Sequence, residues 1–224
     1  MIEVRDVTHS YGDRMVLRSV SVTLTEQRVA VIGANGSGKS TFARLLNGLV
    51  IPQRGEVTVH GLSTRSEAAA VRRIVGFVFT DPDAQIVMPT VAEDVAFSLR
   101  RQRLDDEETR GRVFAALSGV ELEIFADHPA HLLSGGQKQL LALCSVLVTQ
   151  PQILVCDEPT TLLDRRNTRR VLEILEGLPQ QVILVTHDLD SVANYDRVLV
   201  FDEGSVVADG SPRLAVDHYR SLVG

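Results

Sequence analysis

Apolar and polar positions along the chain fall into two patterns. In the first they alternate. Ile2 to Thr8 alternates and predicts a strand with one buried face, and Val20 to Leu24 alternates again. Tyr11-Gly12 reads as a turn between them, so a small antiparallel β lobe is expected ahead of residue 29. In the second pattern the apolar positions run together. Val29–Ile32, Val75–Phe79, Ile153–Cys156 and Gln181–Thr186 are short apolar runs and predict buried strands. Glu56 to Gly61 reads as a strand ending in a glycine turn, with His60 solvated at its end. Val198–Phe201 and Ser205–Ala208 predict a hairpin around Asp202-Glu203-Gly204.

Helices are predicted over 42–46, 68–74, 91–99, 107–120, 167–175 and from the segment 133–137 through Leu147. Within 107–120, Val113, Ala116, Leu117 and Val120 share one face. The acids Asp105 to Glu108 suit the positive end of that helix. Ser211 as cap and Pro212 in the first turn mark a final helix. The helices of 91–120 stand between two core strands as an inserted block that can form its own lobe. No linker, low-complexity stretch or internal repeat interrupts the chain.

Composition narrows the class. With 224 residues and 44% hydrophobic content the chain makes one large domain, or one domain with a small lobe. A net charge of −6 argues against a general nucleic-acid binder. Cys144 and Cys156 lie in apolar runs, without metal-ligand spacing, and read as reduced core residues of a cytoplasmic protein. The first residues carry charges where a signal peptide is apolar, and the run Leu140 to Val148 is too short to span a bilayer. A peripheral or soluble protein is expected, with any membrane role exerted through a partner.

The chemistry begins at Gly33-Ala34-Asn35-Gly36-Ser37-Gly38-Lys39-Ser40-Thr41, a G-x-x-x-x-G-K-S phosphate-binding loop between a predicted strand and a predicted helix. Gly33, Gly36 and Gly38 let the backbone adopt positive φ and approach a ligand. Successive N–H groups then point at phosphate oxygens, helped by the helix that follows. Lys39 adds a point charge, and the Ser40 hydroxyl is suited to Mg²⁺. Ile153 to Pro159 reads as a buried strand ending in two carboxylates, Asp157 and Glu158. Asp157 suits a metal held through water, and Glu158, pointing elsewhere, suits a general base acting on water. His187 ends another buried strand and reads as a γ-phosphate contact, or as an ordinary loop residue. Tyr11 offers a flat platform for an adenine ring, or simple packing. Thr80-Asp81-Pro82-Asp83 sits at a strand's carboxyl end, where ligands bind in open α/β sheets. Ser134 caps the helix opened by Leu133-Ser134-Gly135-Gly136-Gln137, a second anion-binding helix start or an ordinary capped helix.

These pieces, in this order, resemble the ATP-binding subunit of an ABC transporter over nearly the whole chain. The resemblance implies an α/β P-loop fold with a mostly parallel core sheet, an N-terminal antiparallel β lobe and an inserted helical lobe over about 87–150, all forming one ATP-binding domain across 1–224. It implies an aromatic A-loop at Tyr11, Walker A at 33–41, a Q-loop near Thr80, the signature at 133–137, Walker B ending at Asp157-Glu158, a D-loop ending at Asp164 and a switch at His187. The segment Asp81-Pro82-Asp83-Ala84-Gln85, followed by Pro89 to Phe97, is similar to the ATPases of energy-coupling-factor (ECF) importers. The compact length, without a longer C-terminal extension, resembles the biotin-transport members of that group, with cobalt, nickel or other vitamin importers as alternatives. One departure stands out: Thr80 occupies the place where the family carries a Mg²⁺-ligating glutamine. A threonine hydroxyl is shorter and would reach a metal only through water, and Gln85 is farther along.

The implied cofactors are ATP and Mg²⁺, the latter held by Ser40, Asp157 and, with this reservation, Thr80. The implied mechanism pairs two copies head to tail, with Ser134, Gly135, Gly136 and Gln137 of one closing on ATP held by the other. The implied membrane partners are a coupling protein and a substrate-binding protein at the cytoplasmic face of the inner membrane. Asp81, Asp83, Gln85, Glu93 and Asp94 form the expected coupling surface. A soluble ABC ATPase of translation or DNA repair is the competing class, and a P-loop GTPase would need a base-specifying motif that is not found.

Overall fold

The computed structural model describes residues 1–224 and divides into two compact units. The first comprises 1–76, 152–158 and 176–224, and the second comprises 77–151 and 159–175.

The first unit carries an antiparallel sheet in the order β2-β1-β4-β5. Its strands are β1 (Ile2–Tyr11), β2 (Arg14–Leu24), β4 (Arg54–Val59) and β5 (Leu62–Ser63). The alternation seen in the sequence becomes alternating burial: Ile2, Val4 and Val7 face inward, as do Val20, Val22 and Leu24. The sheet is larger than the sequence pattern suggested, because β4 and β5 arrive from beyond residue 50 to pair with β1 and with each other. Gly12-Asp13 alone makes the turn, and Tyr11 pairs with Arg14 as the closing residues of the hairpin.

The second sheet runs β10-β9-β3-β8-β7-β6. Its strands are β3 (Arg28–Gly33), β6 (Val75–Val78), β7 (Ile153–Asp157), β8 (Gln181–Val185), β9 (Arg197–Asp202) and β10 (Ser205–Gly210). β7, β8, β3 and β9 pair parallel, and β10 closes the edge antiparallel. The apolar runs of β3, β7, β8 and β9 are buried along nearly their whole length, as strands covered on both faces must be. The boundary between the units falls inside β6. Helix α1 (Lys39–Leu46) packs against β3, β7 and β8 and also against β2 and β4, burying Phe42, Ala43, Leu45 and Leu46. Helices α2 (Ala68–Ile74) and α7 (Pro212–Val223) complete this unit. Ser211 holds the cap position of α7 with extended backbone, but its hydroxyl accepts no capping bond, so Pro212 supplies the start on its own.

The second unit is built of α3 (Val91–Leu99), α4 (Asp106–Gly119), α5 (Gly135–Leu147) and most of α6 (Arg165–Gly177). α3 packs on both α4 and α5. Thr90 and Glu93 form a reciprocal capping box at the start of α3, and Ser134 and Gln137 form another at the start of α5. Cys144 and Cys156 are buried free thiols, and burial pushes the Cys144 thiol up to about 12. No helix is long and apolar enough to cross a membrane.

Candidate functional site

Three loops at the carboxyl ends of β3, β8 and β7 bring the first unit's chemistry together. Gly33 ends β3 at φ 148°, and a Cβ there would stand 2.2 Å from the Phe201 carbonyl oxygen. Gly38 opens α1 at φ 106°, where a Cβ would meet the Val16 carbonyl at 2.6 Å. No larger residue fits either position, so the loop closes tightly against its own sheet. The hydroxyl of Ser37, inside the loop, is buried and bonds to nothing. Lys39 is 4% exposed and folds back, donating to the carbonyls of Gly33 at 2.8 Å and Ala34 at 2.9 Å. Burial lowers its pKa, against the raising effect of Glu158 and Asp157.

Ser40 donates to Asp157 Oδ1 at 2.8 Å, and Arg44 stands 3.6 Å from Asp157 Oδ2. Burial nevertheless raises the Asp157 carboxyl above its ordinary range. Glu158 follows at φ 50°, in the left-handed region, which turns its side chain away from the line of β7. Its carboxylate lies 4.0 Å from Lys39 Nζ and 3.2 Å from His187 Nδ1. Lys39, Glu158 and His187 therefore form a connected row along one sheet edge. Tyr11 is half exposed and meets the His9 ring edge to face at 4.9 Å. Tyr11, Arg14, Val16, Asn35, Lys39 and Glu158 help line one cleft of about 460 Å³.

The donor set suits Mg²⁺. Ser40 and Asp157 present hard oxygens side by side, and the buried carboxylate gains from a neighbouring cation.

In the second unit, Asp164 Oδ1 accepts the Asn167 backbone N–H at 2.8 Å and starts α6. Asn167 then lies so close to Gly136 that a Cβ at that glycine would stand 2.3 Å from its amide carbon. Ser134, Gln137, Asp164 and Asn167 line one cavity of about 620 Å³. Ser134 and Gly135 are exposed.

The loop after β6 holds the proposed coupling residues and is knit from within. Gln85 accepts the Phe79 N–H at 3.2 Å and donates to the Ala142 carbonyl at 3.1 Å, so its amide is engaged in the loop itself. Asp81 accepts the Asp83 N–H at 3.0 Å, Asp83 pairs with Lys138 at 2.7 Å, and Glu93 is exposed in its capping box. Thr80 is half-buried in this loop. Asp94 corrects the sequence expectation. It is 3% exposed and accepts from Val87 N, Met88 N and Ser145 Oγ at 2.8, 3.1 and 2.9 Å. Its carboxylate holds the loop to α5 and offers no surface to a partner's arginine.

A model of the ABC transporter family matches residues 17–161. The chain belongs to this family. It is 46% identical over 213 residues to the biotin transport ATP-binding protein BioM of Rhizobium etli, covering 95% of each chain. It is 41% identical over 220 residues to the energy-coupling factor transporter ATP-binding protein EcfA1 of Latilactobacillus sakei, covering 95% of this chain and 79% of that protein. Among solved structures, the dimeric ATP-binding cassette MJ0796 bound to ADP and Pi superposes with a TM-score of 0.86 at 30% identity, over 95% of this chain and 99% of that one. The fold is the ABC ATPase cassette, and the chain is an ATPase of that class.

Two features of this ABC cassette escaped the sequence. Arg14 lines the cleft, and Asn167 sets the space around Gly136. The arginine follows Tyr11 across a two-residue turn and was legible once the hairpin register was known. Nothing in the sequence near Asn167 marks its contact with a residue thirty-one positions earlier.

Proposed function

We propose that this chain is the ATP-hydrolysing subunit of an ECF-type importer, working as a pair of identical copies at the cytoplasmic face of the membrane. The row Lys39–Glu158–His187 beside the phosphate loop carries the reading. ATP binds with its base on Tyr11 and its phosphates in the loop Gly33–Thr41. Lys39 leaves the Gly33 and Ala34 carbonyls for the phosphates. Ser40 and Asp157 would hold Mg²⁺, which would supply positive charge against the phosphates. Glu158 orients and deprotonates the attacking water, while His187 contacts the γ-phosphate and fixes the glutamate.

Ser134 and the Gly135-Gly136 backbone of one copy complete the donors around ATP held by the other, with Gln137 and Asp164 supporting that surface. Closure is stabilised by ATP through charge-assisted hydrogen bonds and released by hydrolysis. Thr80, shorter than the family's Mg²⁺-ligating glutamine, weakens Mg²⁺-dependent closure. If Thr80→Gln changes neither Mg²⁺ dependence nor rate, that effect is excluded. Asp81, Asp83 and Glu93 receive a membrane partner's basic residues, with Gln85 bracing the loop beneath them.

The 46% identity to a biotin transport protein supports biotin as the cargo. Purification of the chain from detergent-solubilised membranes, with mass spectrometry of partners and bound small molecules, tests this. A coupling membrane protein, a small substrate-binding membrane protein and bound biotin are expected. Ribosomal or DNA-repair partners without a membrane protein would overturn the transport reading.

A further inference from the structure

The strongest feature outside the assigned chemistry is Arg14. It closes the hairpin opposite Tyr11, so the short Gly12-Asp13 turn holds it beside the cleft. Its guanidinium leans over the phosphate loop: a Cβ built on Gly36 would lie 3.3 Å from Nη2. It makes no hydrogen bond or ion pair within the chain. Other arginines of this unit are tied down, Arg28 to backbone carbonyls and Arg197 to Glu26 and Asp209. Arg14 is thus an uncommitted cation at the rim of a cleft whose other cation, Lys39, is bonded to two carbonyls.

We propose that Arg14 is a nucleotide-binding residue that engages the phosphate chain of ATP. The inference rests on the reading of this cleft as the nucleotide site. Tyr11 fills the base-stacking role, and the guanidinium overlies Gly36, part of the turn whose N–H groups face the ligand. A guanidinium presents its donors in a fixed fork that matches phosphate oxygens. In a chain of net charge −6 it also supplies local attraction for a polyanion.

Equilibrium titration of the full-length chain with ATP and, separately, with inorganic tripolyphosphate tests the proposal. Arg14→Gln is expected to weaken both ligands about tenfold, with a shallower salt dependence. Arg14→Lys is expected to fall between. Unchanged affinities in Arg14→Gln would overturn the proposal, and so would weakening of ATP alone, which would place the arginine on the base. Lys39→Ala serves as the reference. If it weakens both ligands while Arg14→Gln weakens neither, only the arginine proposal fails. If Lys39→Ala also weakens neither, the cleft itself is misread. Arg14 is exposed, so circular dichroism of the Gln variant should match that of the parent.

Discussion

Asp94, in the first turn of α3, and Glu158, just after β7, are both carboxylates next to buried elements, yet their surroundings differ. Asp94 is almost wholly buried and accepts three hydrogen bonds, two of them from backbone N–H groups. Glu158 keeps some exposure and lies 4.0 Å from Lys39 and 3.2 Å from His187. A carboxylate saturated with short bonds holds a structure together. One set among ionisable neighbours, on a strained backbone, is placed to act on a water. The contrast lies in burial and in the kind of neighbour, which a sequence does not display.

The largest effect that could break this contrast is on hydrolysis. Glu158→Gln is expected to lower ATP turnover by roughly 10²- to 10⁴-fold while ATP affinity stays within a factor of about three. Normal turnover, measured by phosphate release, would remove the base role. Asp94→Ala is expected to act oppositely. It strands two backbone donors and the Ser145 hydroxyl, costing about 3 kcal/mol of stability. Thermal unfolding should show a fall of several degrees, and an unaltered midpoint would mean that the loop does not depend on this side chain.

Gly136→Ala sharpens the same lesson on the signature side. The new methyl collides with the Asn167 amide and should cost about 1–2 kcal/mol. Asn167→Ala in the same chain should recover most of that loss, and a double-mutant cycle without coupling would rule the contact out.

The smallest expected effect concerns His9. Burial lowers its pKa below 6.5, so the folded state binds a proton less readily than the unfolded chain. Stability from this group is present above the unfolded pKa and is lost as pH falls through the folded one. His9→Phe should therefore flatten the stability profile below about pH 6.5, as read from denaturant midpoints. Equal slopes in both proteins would show that His9 is not the titrating group.

Local chemistry was the legible part of the chain. The phosphate loop needs glycines at fixed offsets, and Ser134 announces a helix cap, so both could be read directly. The buried strands announced themselves as apolar runs. Nonlocal pairing was not legible. β4 joins the antiparallel sheet through a partner some fifty residues away, bringing β5 with it, and Asp94 is explained by Ser145 on another helix. Gln85, which the sequence places farther along than the missing loop glutamine, is bonded to Phe79 and Ala142.

The central claim is that the phosphate loop of one copy and the signature of another enclose ATP together. Sedimentation of the Glu158→Gln chain with and without ATP tests it most directly. Accumulation of a stable dimer only with ATP, reduced by Ser134→Ala, is the predicted result. A chain that binds ATP yet sediments as a monomer at every concentration would contradict it.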